Sequence, residues 1–413
     1  MCKNSFYFLF AIFFVCVPCG AQAATKPVAV KPAPMEIGGW IPYWRTATGT
    51  LDVLPHLSQL TEVSPFVFTL KKDGSLYDNG SLSQEPWVSF IAAAKKQKVR
   101  IVPTVMNGDG DMMQALLSNQ KSRIALEVAI ANMVHKNGFS GVDIDFEGKK
   151  AETRPYFSLF LKGLYERIGN QLVYCSIEPR TPVDARYGYG VTPPADATDY
   201  ANDYVAINKY CDRVEIMAYD QGAIDVTLNK ARAAPYVPVA DPAWVEKVIT
   251  LAEKSISKKK ILIGIPTYGY EYSVKPLSEY GYRYSRLWAF NPTYALDIAK
   301  QLNTSPVRNS AGELSFIYKS SPGTVAGTAS MQSIQPDPTI ASNMMAGPAA
   351  IYSQAAIAQN VQPPFNIMWW SDAQSIKDKI ALAQKLGVRG VSLFKLDGGE
   401  DQGIWNVLPT AAY

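Results

Sequence analysis

Histidine is almost missing from this 413-residue chain, which has only His56 and His135. Catalytic zinc is held by imidazoles or thiolates converging on one ion, and neither histidine falls near a strand end, so a His-rich metal centre is excluded. An excess of one charge is missing too. Lys and Arg total 40 against 36 Asp and Glu, a formal charge of +4 with no acidic or basic block. That is too weak and too dispersed to point to a nucleic-acid partner. No Gly-rich dinucleotide turn occurs, and no apolar run is long enough for a comfortable membrane span. The apolar run at 6–17 reads instead as the middle of a secretory leader. Lys3 supplies its positive start, and Ala21-Gln22-Ala23 forms an A-x-A cleavage site before Ala24. A lipoprotein reading through Cys19 is weakened by Pro18, which stands where a small residue is wanted. Loss of the leader, residues 1–23, removes only Lys3 and leaves 39 − 36 = +3. The expected location is secreted or periplasmic/cell-envelope.

Cysteine is sparse, and three of the five (Cys2, Cys16, Cys19) leave with the leader. Cys175 and Cys211 remain. In an oxidising compartment they could pair, or they could be two small buried thiols, and spacing leaves both readings open.

What is present is a globular composition, 47% hydrophobic, with 23 Tyr and 8 Trp. The length allows one large barrel-type domain or two ordinary ones. Residues 24–35, rich in Pro, Ala and Lys, read as a short extended tether. From Glu36 onward short apolar strands alternate with helices. Strands are expected at 36–43, 63–70, 100–106, 141–147, 172–178, 213–219, 261–268, and from 389 to about Phe394. Helical spacing links Phe157, Phe160, Leu164 and Ile168 before Gly169. It also links Ile376, Ile380 and Ala383, a helix started by Ser371 with Gln374 three residues on and stopped by Gly387. Eight strands with intervening helices fit an α/β fold of the (β/α)8 TIM-barrel type better than an open sheet. The rhythm breaks at about 274–364, which reads as a small α+β insertion between strand 7 and the last βα unit. It holds a helix at 292–302, a strand at 313–318 and a polar tract from Ser320 to about Pro348. A structureless loop of that length is disfavoured.

The segment Ser140-Gly141-Val142-Asp143-Ile144-Asp145-Phe146-Glu147 carries the chemistry. Alternate side chains of a strand share a face. Val142, Ile144 and Phe146 therefore face the helices, while Asp143, Asp145 and Glu147 face the barrel interior. Like charge and lost hydration both oppose ionisation of such a row, so at least one group should keep its proton. Barrel enzymes react at the C-terminal ends of their strands, which singles out Glu147. A protonated carboxyl there suits a general acid for glycoside hydrolysis. A carboxylate ladder binding Mg2+ or Ca2+ is the competing reading of the same pattern.

The segment SGVDIDFE resembles the D-x-x-D-x-D-x-E signature of family 18 glycoside hydrolases. Met217-Ala218-Tyr219-Asp220 resembles the family's M-x-Y-D, and Pro266-Thr267-Tyr268-Gly269 its P-x-Y-G. The order and spacing agree from about Glu36 to Trp405, and the ending Gly390–Phe394 through Trp405 is similar to bacterial members. The resemblance implies a hydrolase domain over 36–413, no cofactor and no metal. It implies a retaining mechanism in which the substrate's 2-acetamido group is the nucleophile, outside the two-carboxylate scheme. Glu147 would protonate the glycosidic oxygen, Asp145 would orient the acetamido group, and Asp143 would support Asp145. Tyr219 would bond the acetamido carbonyl and Asp220 the sugar, with Met217 and Tyr268 beside them. Two positions depart from the pattern. Ser140 replaces the signature's first Asp at the strand's far end, and Phe394 stands where the family usually has a Trp under the catalytic sugar. Trp40, Tyr43, Trp44 and Trp369 (with Trp370) are further candidates for the cleft, or else core. Glu178 and Arg180 could face the site or pair with each other. The expected substrate is a polysaccharide with N-acetylglucosamine units, chitin or peptidoglycan, cut by a monomer. The second reading is a weak or inactive member that binds such glycans.

Overall fold

A computed structural model describes residues 35–277, 281–319 and 365–409. The expected leader, the tether up to residue 34 and the tract at 320–348 lie outside the described residues. Eight parallel strands close on themselves: β1 (Glu36–Pro42), β2 (Glu62–Leu70), β3 (Thr104–Asn107), β4 (Gly141–Phe146), β5 (Leu172–Ile177), β6 (Arg213–Ile216), β7 (Ile261–Pro266) and β8 (Gly390–Phe394). Each pairs with the next, and β8 pairs with β1 through Glu36↔Gly390 to Gly39↔Leu393. The architecture is a (β/α)8 barrel with an α+β insertion between β7 and β8.

The outward faces of the strands explain why helices cover them. Val142, Ile144 and Phe146 are fully buried, and the Phe146 ring packs on Phe157 and Phe160 of the helix Arg154–Ile168. The barrel's N-terminal end is closed by ions. Glu36 meets Arg100, Arg213 and Arg389, and Arg100 also reaches Glu62. Burial opposes the Glu36 charge, but these guanidinium groups win and lower its pKa to about 2. This end is sealed, leaving chemistry to the other.

Cys175 in β5 and Cys211 before β6 are bonded, closing the open alternative in favour of a disulfide. The bond links residues 36 apart, a loop whose closure is worth roughly 4 kcal/mol on chain-entropy grounds. Cys175→Ser/Cys211→Ser should therefore lower the melting temperature markedly, read by calorimetry beside the oxidised parent. An unchanged melting temperature would show that the bond contributes nothing to the fold.

The insertion is a five-stranded antiparallel sheet ordered Tyr282–Phe290, Gly269–Pro276, Phe365–Trp370, Leu314–Tyr318, Val307–Arg308, with a helix at Pro292–Gln301. It is wider than 274–364. Pairing starts at Gly269, immediately after β7, and takes in Trp369 and Trp370. One cap also shifts. The helix Ala373–Leu386 is capped by Asp372 with Ser375 three residues on, not by Ser371 with Gln374, and ends as expected on left-handed Gly387.

Candidate active site

Four strands build the floor of the site in register. Thr104 of β3 pairs with Asp143, and Asp145 of β4 pairs with Ser176 of β5, which pairs with Glu215 of β6. Because paired residues point the same way, their polar groups meet inside the barrel. Asp143 is fully buried and its oxygens are taken: Trp40 Nε1 donates at 3.1 Å, Thr104 Oγ1 at 2.8 Å and Ser176 Oγ at 2.8 Å. Ser176 Oγ also lies 3.3 Å from Glu215 Oε2. One layer up, Asp145 is buried and its Oδ1 accepts no hydrogen bond from the protein. Glu147 sits past the strand end, half-buried, its backbone N–H donating to Asn107 at 2.8 Å. Gly148 follows at φ +63°, where a side chain would be strained.

The charges of this row interact. Burial raises the Asp145 pKa well above the usual carboxylate range, and the charges of Glu147, Asp143 and Glu178 raise it further. Burial also raises Asp143, against the hydrogen bonds from Trp40, Thr104 and Ser176. Glu215 is raised well above its usual range by burial and by Asp143. Burial and like charge thus both push the carboxyls of Asp143, Asp145 and Glu215 towards their protonated forms.

Aromatic rings line the wall. Phe394 lies 5.7 Å from Trp40, 6.1 Å from Phe66, 5.7 Å from Tyr219 in a stacked pose and 6.1 Å from Tyr268. Tyr219 fits because β7 carries Gly264: a Cβ there would come within 2.8 Å of the Tyr219 ring. Asp220, at φ +59°, accepts from Tyr268 Oη and, at 2.7 Å, from Tyr270 Oη.

The chain matches the family model described as glycosyl hydrolases family 18 over residues 37–399. It belongs to glycosyl hydrolase family 18. A curated relative, the uncharacterized glycosylase YvbX of Bacillus subtilis (strain 168), is 21% identical over 360 residues, 85% of this chain and 86% of that protein. The Bacillus cereus spore cortex-lytic enzyme SleL superposes with a TM-score of 0.66 at 18% identity, covering 93% of this chain and 76% of that one. A class V chitinase from Pseudomonas fluorescens Pf-5 gives 0.65 at 21% identity, covering 92% and 99%. These structures share the fold. The chain is thus a family 18 hydrolase acting on a glycan, and among the described residues no helix is long and apolar enough to cross a membrane.

Most of the family-signature positions converge at the C-terminal ends of the strands. Asp143, Asp145, Glu147, Tyr219, Asp220, Tyr268, Phe394 and Trp40 form one constellation, with Met217 buried behind it. Tyr43 and Trp44 are half-buried beside it, and Trp44 contacts Phe66. Trp369 and Trp370 are placed differently. Trp369 is buried with its indole N–H on Glu313 Oε2 at 2.5 Å and its ring against Tyr236, and Trp370 lies in the insertion's own core. Glu178 and Arg180 do not pair. Glu178 accepts from the Gly148 N–H at 2.9 Å and from Asn202 at 2.7 Å, while Arg180 packs on Tyr200 and Tyr204. Thr104, Ser176, Glu215 and Phe66 belong to the site and were missed. A polar residue in phase with a site residue on an apolar strand was the available signal, as Glu215 is with Met217 and Tyr219.

The raised carboxyls have a consequence for pH. A carboxyl whose pKa is raised by folding favours the folded state while protonated, and that contribution is lost as pH rises through the folded pKa. Glu36, lowered to about 2, acts oppositely only on acidification below the ordinary carboxylate range. The protein should therefore melt higher at pH 5 than at pH 8, and Glu215→Gln should shrink the difference, as followed by circular dichroism. A higher melting temperature at pH 8 would contradict the assignment.

Proposed function

We propose that the chain is an exported glycosidase that cuts β-1,4 bonds beside N-acetylglucosamine by a retaining, substrate-assisted mechanism. The observation that carries this reading is the buried Asp145 Oδ1, an acceptor with no protein donor, set between Asp143 below and Glu147 at the strand end. Buried polar atoms are normally satisfied, and the N–H of a substrate acetamido group is a donor of suitable size. Glu147 gives its proton to the glycosidic oxygen as the bond to C1 breaks. The acetamido carbonyl oxygen closes on C1 to an oxazolinium ion, whose positive charge Asp145 stabilises. Asp143, held by Trp40, Thr104 and Ser176, keeps Asp145 in place and shares its proton. Tyr219 is neutral, since burial and the nearby Asp145 and Glu147 charges raise its pKa well above the ordinary phenol value, and it donates to the acetamido oxygen. Water then attacks C1 as the bond from C1 to the acetamido oxygen breaks, gives a proton to the Glu147 carboxylate, and leaves the product with its acetamido group restored and its configuration retained. Asp220 binds the same sugar, and Phe394 is its apolar floor, narrower than an indole.

Export is supported by the leader pattern and by the Cys175–Cys211 bond, since disulfides persist in oxidising compartments. The similarity to SleL, described as a spore cortex-lytic enzyme, and to a chitinase keeps peptidoglycan and chitin as the two substrate classes. The test is incubation with chitin oligosaccharides and with purified peptidoglycan, followed by mass spectrometry of the new reducing ends. Products ending in N-acetylglucosamine support the reading. Failure on both glycans favours the glycan-binding alternative.

A further inference from the structure

The insertion strand Tyr282–Phe290 runs beside Gly269–Pro276, and its register slips between Glu271 and Tyr272. Arg286 pairs with Tyr272 and Trp288 with Glu271, so Leu287 is an extra residue. In a regular strand residues 286 and 288 would share a face, and a bulge parts them. Trp288 turns to Tyr294 and the insertion's own core. Arg286 turns to the barrel side, its guanidinium 4.9 Å from the centre of the Tyr270 ring. Tyr270 Oη donates to Asp220, so this cation stands one ring away from the constellation around Glu147. Burial works against its charge, yet Tyr270, Tyr272 and Asp220 offset that and hold it firmly protonated.

Arg286 is half-buried and forms no ion pair or hydrogen bond among the described residues. Other partly buried arginines differ: Arg45, Arg100, Arg213, Arg232, Arg308 and Arg389 each reach a carboxylate, while Arg154, Arg180 and Arg186 donate to backbone carbonyls. Five N–H donors in a fixed fork suit a carboxylate. The cleft below also carries the Asp220 carboxylate, one ring away from Arg286, and its charge would repel an anionic glycan without a local cation. Chitin is uncharged and gives such a cation no ionic partner. A glycan whose amino sugar bears a lactyl ether does.

We propose that Arg286 is a specificity-determining residue that binds a carboxylate on the glycan, favouring strands that contain N-acetylmuramic acid. The inference rests on the glycosidase reading of the Glu147 site and names its substrate class. Its test needs no turnover. In the Glu147→Gln background, the disaccharide N-acetylglucosaminyl-β-1,4-N-acetylmuramic acid and its methyl ester are titrated by calorimetry. The acid should bind about tenfold or more tighter than the ester, as loss of a charge-assisted pair implies. Adding Arg286→Met should bring the two ligands within about twofold of each other, since the ionic contact is then gone from both. Arg286→Lys, which keeps the charge but loses the fork, should restore part of the preference, and that part should fall with salt. Equal binding of acid and ester before the change at 286, no binding of the acid, or a preference that survives Arg286→Met would overturn the proposal. Failure of the glycosidase reading shows elsewhere, as a parent protein that cuts neither glycan.

Discussion

Glu147→Gln should leave a folded protein that has lost hydrolysis by a factor of about 1,000 or more, within the range that a positioned general acid supplies. The amide has the same shape but no acidic proton for the leaving oxygen and no carboxylate to take one back from water. Glu147 is half-buried at a strand end, and its backbone is held by Asn107 whatever the side chain, so the melting temperature should change little. Initial rates on an N-acetylglucosamine oligosaccharide, with a melt beside them, check both halves. A variant retaining a tenth of the parent rate would remove Glu147 from the role of acid.

The largest effect on stability should come from a carboxylate far from the chemistry. Glu313 is fully buried where the insertion meets the barrel. It accepts from the Val239 and Ala240 N–H groups at 2.9 Å each, from Trp369 at 2.5 Å and from Ser371 at 3.3 Å, and it faces the buried Lys379 at 3.5 Å. Removing one member of a buried pair strands the other charge, which typically costs about 3–5 kcal/mol. Glu313→Ala should fall in that range by denaturant unfolding. Glu313→Gln/Lys379→Met, which removes both charges and keeps an acceptor, should recover most of the loss. If Glu313→Ala costs less than about 1 kcal/mol, the ion does not hold the insertion to the barrel.

The elements most legible in the sequence were those whose pattern is local. The alternation in 141–147 put Asp143 and Asp145 inside and Val142, Ile144 and Phe146 outside, as the barrel has them. The third and sixth strands were harder. The expected strand at 100–106 divides into Arg100–Ile101 and Thr104–Asn107, and the strand expected to reach Tyr219 leaves the ladder at Ile216. Beyond it the Ala218 and Tyr219 N–H groups bond carbonyls two residues back, and Asp220 takes a left-handed conformation. Residues 217–220 thus reach the site from a bent end, which periodicity does not reveal. The helix start was read at Ser371, and the cap falls one residue on because Asp372 and Ser375 close the capping box between them. What stayed hidden depends on contacts distant in sequence. Trp40 serves Asp143 across 103 residues, Trp369 is drawn into the insertion joint by Glu313, and Arg286 is aimed by a bulge that leaves no mark in composition. Phe394 was singled out as a departure, and its place amid Trp40, Phe66, Tyr219 and Tyr268 makes it the centre of the aromatic wall.

The central claim is that Asp145 and Glu147 direct a reaction in which the substrate's own acetamido group attacks C1 from the face opposite the leaving sugar and water later enters from the face that sugar vacated. The most direct measurement is the anomeric form of the first product, followed by proton nuclear magnetic resonance during the opening minutes of hydrolysis. The β-anomer should form first and drift to the equilibrium mixture by mutarotation. The α-anomer forming first would mean direct displacement by water with inversion, and the substrate-assisted account of this site would be wrong.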